Sequence, residues 1–246
     1  MIDYRVEGAI AWITLNREEK LNALNLDAWR LIPDAFHRAE EDGAVKVVVL
    51  SGRGRCFCAG ADITSFSGIE TAEDRYRFVK LVNAAFVAVE TMSKPVIAAV
   101  HGVVLGGGCE LSMMADIVIA DTTVQFGLPE IRTGIMPGPG LVRGGSHVGL
   151  HVIKYMAYTG ETLNAQEALS VGLANKIVEP ERLLEEAGRV ATVIAGRSTT
   201  AISEVKRFLN AQHPSQYDYV TSSLSFLFGT SAVQESVERF KTRKST

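Results

Sequence analysis

Short apolar runs alternate with longer amphipathic stretches along most of the chain. Val45–Leu50, Val96–Val100 and Asp116–Ala120 are nearly continuous runs of strand length. A run of that length without polar alternation suits a strand covered on both faces. Ala9–Leu15 is rich in apolar and β-forming residues and predicts another strand, followed by a polar loop over Asn16–Asn22. Leu24, Ala28, Leu31, Ala35 and Ala39 recur at helical spacing, with Pro33 among them predicting a kink or a start near that residue. Thr71-Ala72-Glu73-Asp74 sets an acid three residues after a hydroxyl, and predicts a helix running to about Met92. A short helix is expected from about Gly107 to Met114. Beyond Pro180 the helical pattern continues alone, over Glu181–Ile194, Thr199–Ala211, Tyr217–Phe228 and Ser231–Thr242. Alternating helices and doubly buried strands predict a layered α/β fold. Residues 195–246 read as a strandless helical lobe that packs on the core or on a neighbouring subunit.

Composition narrows the class. The chain has 246 residues, 47% hydrophobic and 22% charged, enough for one sizeable core and too apolar for a disordered segment. A net charge of −3 gives no global attraction to nucleic acid or to an anionic membrane. No apolar stretch approaches the roughly 18 residues of a membrane span. The beginning Met1-Ile2-Asp3-Tyr4-Arg5 carries no signal or transit pattern, so a cytoplasmic location is expected. Cys56, Cys58 and Cys109 are too few for a disulfide framework and lack the spacing of a zinc site.

Glycine, at 22 residues, is the compositional excess, and its placement matters. Ala59-Gly60-Ala61-Asp62 follows one buried-type strand, and Gly106-Gly107-Gly108 follows another. Taken alone, both read as tight turns. Neither has the spacing of a dinucleotide or phosphate loop. A helix beginning near Gly107 would nevertheless aim unpartnered N–H groups outward. Two such turns meeting would form an oxyanion hole. Glu110 lies on that short helix and Glu130 in a Pro- and Gly-rich loop. Each alone reads as a solvated surface acid, but two acids beside an oxyanion hole would supply both acid and base.

The order of motifs resembles the crotonase superfamily, the enoyl-CoA hydratase/isomerase family. The matching pieces are Asn16-Arg17 with Asn22-Ala23-Leu24, Phe57 to Ile63, Lys94 to Gly102, Gly106 to Leu111, Gln125 to Glu130, Pro137 to Gly140, and the later Thr159-Gly160-Glu161 and Gly172-Leu173-Ala174. The resemblance implies a spiral of ββα turns over residues 1–194 and a C-terminal helical region, 195–246, that assembles trimers or dimers of trimers. It implies an acyl-CoA thioester as substrate, with no cofactor beyond the coenzyme A that the substrate carries. Ala61 and Gly107 match the two oxyanion-hole positions, and Glu110 and Glu130 the two catalytic carboxylates of the hydratases. Ala59, Ala61, Asp62, Ile63 and Thr64 match the loop that contacts CoA, with Lys20, Lys241 or Lys244 as phosphate contacts.

The expected activity is reversible hydration of a 2-enoyl-CoA. The alternatives are an enoyl-CoA isomerase using Glu130 alone, or a specialised dehydratase or hydrolase of the same superfamily. A non-catalytic acyl-CoA- or RNA-binding relative is disfavoured by the two retained acids and by the net charge. The sequence departs from the family pattern after Gly138. Pro139 replaces an alanine, and Leu141–His147 replaces the rest of the usual pattern, with an apparent one-residue shortening. This leaves the shape of the acyl pocket and the role of His147 open.

Overall fold

The computed structural model describes residues 1–210 and 214–242. In chain order the elements are β1 (Ile2–Glu7), β2 (Ile10–Leu15), α1 (Leu26–Glu41), β3 (Val47–Gly52), α2 (Ala72–Thr91), β4 (Val96–Val100), β5 (Val103–Leu105), α3 (Gly107–Met114), β6 (Ile117–Asp121) and β7 (Gln125–Gly127). They continue through α4 (Pro139–His147), α5 (Leu150–Thr159), β8 (Thr162–Asn164), α6 (Ala165–Ser170), β9 (Lys176–Val178), α7 (Leu183–Ala195), α8 (Thr199–Asn210), α9 (Pro214–Leu227) and α10 (Ser231–Thr242). Among the described residues the strands form two sheets, one of six in the order β1-β2-β3-β4-β6-β9 and one of three in the order β5-β7-β8.

The apolar runs are apolar throughout because both faces of the larger sheet are covered. In register, Trp12, Val49 and Ile97 lie side by side, as do Ile13, Leu50, Ala98 and Val118. The first row packs under α7, against Leu183, Ala187 and Ala191. The second joins the main core with Trp29, Phe36 and Phe86. Within this sheet β2, β3, β4, β6 and β9 run parallel, as helical crossovers require. Isolated bridges extend the smaller sheet, pairing Cys58 with Val104. Successive turns of chain therefore place one strand in each sheet (β3 then Cys58, β4 then β5, β6 then β7) before the next helix. This is the expected spiral.

The helix predicted from Leu24 begins at Leu26, capped by the Asn25 side chain, and passes through Pro33 without stopping. Its buried face is Ala28, Trp29, Ile32, Ala35, Phe36 and Ala39, whereas Leu31 is exposed. Burial of those side chains outweighs the backbone bond that proline forfeits, a cost of about 3 kcal/mol in an unsupported helix. The Thr71–Asp74 capping box forms as expected. Strand β1 was not anticipated, because an edge strand with mostly exposed residues carries little apolar signal. No helix among the described residues is long and apolar enough to cross a membrane.

Candidate active site

The turn carrying Ala61 is built from the amino-terminal polar loop. Asn22 stands at φ +54, and its side-chain amide donates to the carbonyls of Arg53 and Cys56 while its Oδ1 accepts from the Arg17 N–H. Arg17 in turn reaches the Ala23 carbonyl at 2.9 Å and Asp62 Oδ2 at 2.7 Å. Against burial, which would raise it, the Thr64 hydroxyl and Arg17 hold the Asp62 carboxyl below the usual range. Leu24 then clasps the turn from one side. Its N–H donates to Gly60 O, and its carbonyl accepts from the Asp62 N–H. Because the residues on both sides of Ala61 bond to Leu24, the Ala61 N–H points the other way, with no acceptor among the described residues.

That other side is occupied by the start of α3. Gly60, at φ +97, lies so close to the second turn that a Cβ would sit 2.9 Å from Leu105 O. A Cβ on Gly107 would sit 2.9 Å from Trp29 Cη2. A side chain at Gly60 would push the two turns apart and one at Gly107 would collide with Trp29, so glycine permits the approach. Gly107 is the first residue of α3, and its N–H has no partner within the helix. The Ala61 and Gly107 N–H groups thus open on one cavity at the positive end of a helix dipole.

The cavity has a volume of about 130 Å³. Its walls are largely apolar, and include Trp29 and Phe86 together with Phe66, Phe78 and Phe228. The last three rings pack edge to face, with centroids 5.0–5.6 Å apart. Two carboxyl groups enter this apolar space, Glu110 from the first turn of α3 and Glu130 from the 3-10 turn Pro129–Thr133. Glu110 is buried and accepts the Gly140 N–H on Oε1 at 2.8 Å. Burial pushes its pKa up to about 7, against the pull of the Gly140 and Gly138 backbone. Glu130 is half-buried as a residue, but its Oε2 is sealed from solvent with no hydrogen-bond partner among the described residues. Burial, and then the neighbouring Glu110, push its pKa well above the usual carboxylate range. Both carboxyls are therefore pushed towards their protonated forms, and the two titrate as a coupled pair. The buried Cys109 thiol behind them is raised further by burial and by both acids, and stays protonated.

The structure thus brings Ala61, Gly107, Glu110 and Glu130 to one cavity, with Ala59 and Ile63 also in its wall. Asp62 and Thr64 do not line it. Their side chains bond to each other and, for Asp62, to Arg17. Lys20 is exposed at the end of a 3-10 turn, next to Leu21, whose carbonyl accepts the Ala59 N–H. Lys241 pairs with Glu238 on the surface, and Lys244 lies outside the described residues. His147 lies outside the cavity wall, and burial with the Arg143 charge holds its pKa below the usual value. His101 bonds through Nε2 to the Gly54 carbonyl. The Gly140 N–H that anchors Glu110 was missed from sequence, though the glycine-rich run marks its place. So was the contribution of Leu224 and Phe228, which brings the C-terminal helical region into the cavity wall.

The chain is similar over nearly its whole length to known proteins. The description of the enoyl-CoA hydratase/isomerase family matches residues 5–245. A short-chain-enoyl-CoA hydratase of Clostridium acetobutylicum is 39% identical over 225 residues, 91% of this chain and 86% of that protein. A crotonyl-CoA hydratase of Syntrophomonas wolfei is 39% identical over the same coverage. The crystal structure of an enoyl-CoA hydratase/isomerase from Mycobacterium paratuberculosis superposes with a TM-score of 0.90 at 29% identity, covering 97% of both chains.

Proposed function

The chain belongs to the enoyl-CoA hydratase/isomerase family, and we propose that its cavity adds water reversibly across the double bond of a 2-enoyl-CoA. The observation that carries this reading is the pair of dissimilar carboxyls beside two unpartnered N–H groups in one apolar cavity. The activity is the one named for its Clostridium and Syntrophomonas relatives.

The chemistry follows from the placement. The thioester oxygen accepts from the Ala61 and Gly107 N–H groups. The Glu110 carboxylate takes a proton from a water molecule as its oxygen bonds to the β-carbon. The π electron pair moves towards the carbonyl, and the negative charge that builds on the thioester oxygen is held by the two N–H donors. The Glu130 carboxyl gives its proton to the α-carbon as the electron pair returns. The proton on Glu110 then restores Glu130 by exchange with solvent or with product. Loss of one oxyanion donor costs about 2.7–4 kcal/mol in enzymes of this kind of chemistry. Nothing beyond the CoA carried by the substrate enters this scheme. The loop from Ala59 to Thr64 is assigned to CoA contacts, with Lys20 as a contact for phosphate.

The same reading assigns residues 195–246 to contacts between copies. α8 leaves Val205, Phe208 and Leu209 exposed side by side on its surface, in keeping with that role. Sedimentation should return a trimer or a dimer of trimers, and a monomer at micromolar concentration would end this part of the reading. The activity itself is tested by following loss of the conjugated thioester absorbance over a panel of enoyl-CoA chain lengths. Turnover should appear for at least one of them. Double-bond migration without hydration would instead identify an isomerase.

A further inference from the structure

Helix α4 carries the backbone donor of Glu110 but has little to hold itself in place. Its nine residues include Gly140, Gly144 and Gly145, each a poorer helix former than alanine. Its cap, Gly138, makes no side-chain bond. A helix this short and this rich in glycine depends on tertiary contacts. One of those contacts is ionic and buried. Arg143, one turn beyond Gly140, is 6% exposed and sets Nε 3.0 Å from Oε1 of Glu90 on α2, itself 5% exposed. Arg143 Nη2 donates to Asn210 Oδ1 on α8 at 2.7 Å, and Asn210 Nδ2 returns to the Glu90 carbonyl at 2.9 Å.

We propose that Arg143 is a positioning residue for the reaction: fixed between Glu90 and Asn210, it holds the first turn of α4 where the Gly140 N–H meets Glu110. The proposal rests on Glu110 being the base of the hydration reaction. The guanidinium suits this task because a planar fork binds two partners at once, which a lysine ammonium does not do with fixed geometry. Its influence on Glu110 passes through the backbone. The titratable groups around Glu110 are Glu130 and Cys109. Those around α4 are Glu90 from α2, Asp116 and Lys206 from the segment before β6 and from α8, and His147 of α4 itself.

Arg143→Met should lower kcat about 10- to 100-fold, as small misplacements of a catalytic group do, with KM for the enoyl-CoA within about 2-fold. The Gly140 N–H favours the ionised form of Glu110, so its loss should move the acidic limb of the pH–rate profile to higher pH. Arg143→Lys should recover part of the rate and of the shift. A role confined to stability would lower the melting temperature and leave the limb in place, and that result overturns the proposal. Should Arg143→Met fail to fold, Asn210→Ala keeps the ion pair and removes one arm of the fork. It should shift the limb in the same direction by less, and an unmoved limb overturns the proposal equally. Titration of the Glu110 carboxyl by carbon-13 NMR, assigned with Glu110→Gln, reads the same effect without turnover. If the wild-type chain hydrates no enoyl-CoA, the hydratase reading fails by itself. An unchanged Glu110 titration in Arg143→Met or Asn210→Ala still decides against the positioning role.

Discussion

Buried carboxyl groups occur in this molecule in two kinds of surroundings. Glu90 meets the Arg143 guanidinium, and Asp62 accepts from the Arg17 guanidinium at 2.7 Å while also taking the Thr64 N–H. Both acids have a cation to offset the cost of leaving water. Glu110 and Glu130 have none. They face an apolar cavity and each other, with a few backbone N–H groups for support. The first arrangement fixes one segment of the chain against another. The second raises both pKa values and leaves oxygen atoms uncommitted. Two raised carboxyls kept side by side in one apolar cavity point to chemistry there.

The largest break in this contrast comes from removing the unpaired acids. Glu110→Gln or Glu130→Gln should lower kcat by about 10²- to 10⁴-fold, the usual contribution of a general acid or base, with KM little changed. Stability should move in the opposite direction. A carboxyl whose folded pKa is raised contributes stability that is complete below its unfolded pKa and is lost as pH rises through the folded value, about 7 for Glu110. Thermal melts at pH 8 should therefore show Glu110→Gln more stable than wild type, with the gap closing towards pH 5. A lower melting temperature at pH 8 would mean that Glu110 is paired in solution.

Next in size is the oxyanion side of the cavity. In Gly107→Ala the new methyl would crowd Trp29 at 2.9 Å and tilt the start of α3. A loss in kcat of about 10²- to 10³-fold is expected, as for removal of one oxyanion donor. Steady-state kinetics that match wild type would place the thioester oxygen elsewhere. The paired region should respond through stability alone. Asp116→Ala leaves the buried Lys206 ammonium without its anion, so it should cost about 3–5 kcal/mol in denaturant unfolding, while kcat of the folded protein stays near wild type. A large fall in kcat with little loss of stability would erase the distinction between the two regions.

These differences also explain what the sequence could reveal. Val96–Val100 and the short helix Gly107–Met114 were located to the residue, because a doubly buried strand and a glycine-started helix follow from local composition. The Thr71–Asp74 box was equally local. Helix α1 was less legible. Pro33 argued for a break, and only the packing of Trp29, Ile32 and Phe36 shows why the helix continues. Arg143 was harder still, since its partners lie 53 residues earlier and 67 later, at Glu90 and Asn210. A charged residue read alone is a solvated one. The candidate acids became visible only through the order of motifs around them, and their raised pKa values depend on burial that no spacing encodes.

The pH–rate profile of crotonyl-CoA hydration by wild type and by Glu110→Gln tests the division of roles most directly. A bell is expected for the wild type. Its acidic limb should lie near pH 7, where Glu110 ionises, and its alkaline limb should appear where Glu130 loses its proton. Glu110→Gln should lower the rate by about 10²- to 10⁴-fold at every pH and remove the acidic limb. Hydration that persists in Glu110→Gln with the acidic limb unmoved would contradict the assignment of Glu110 as the base.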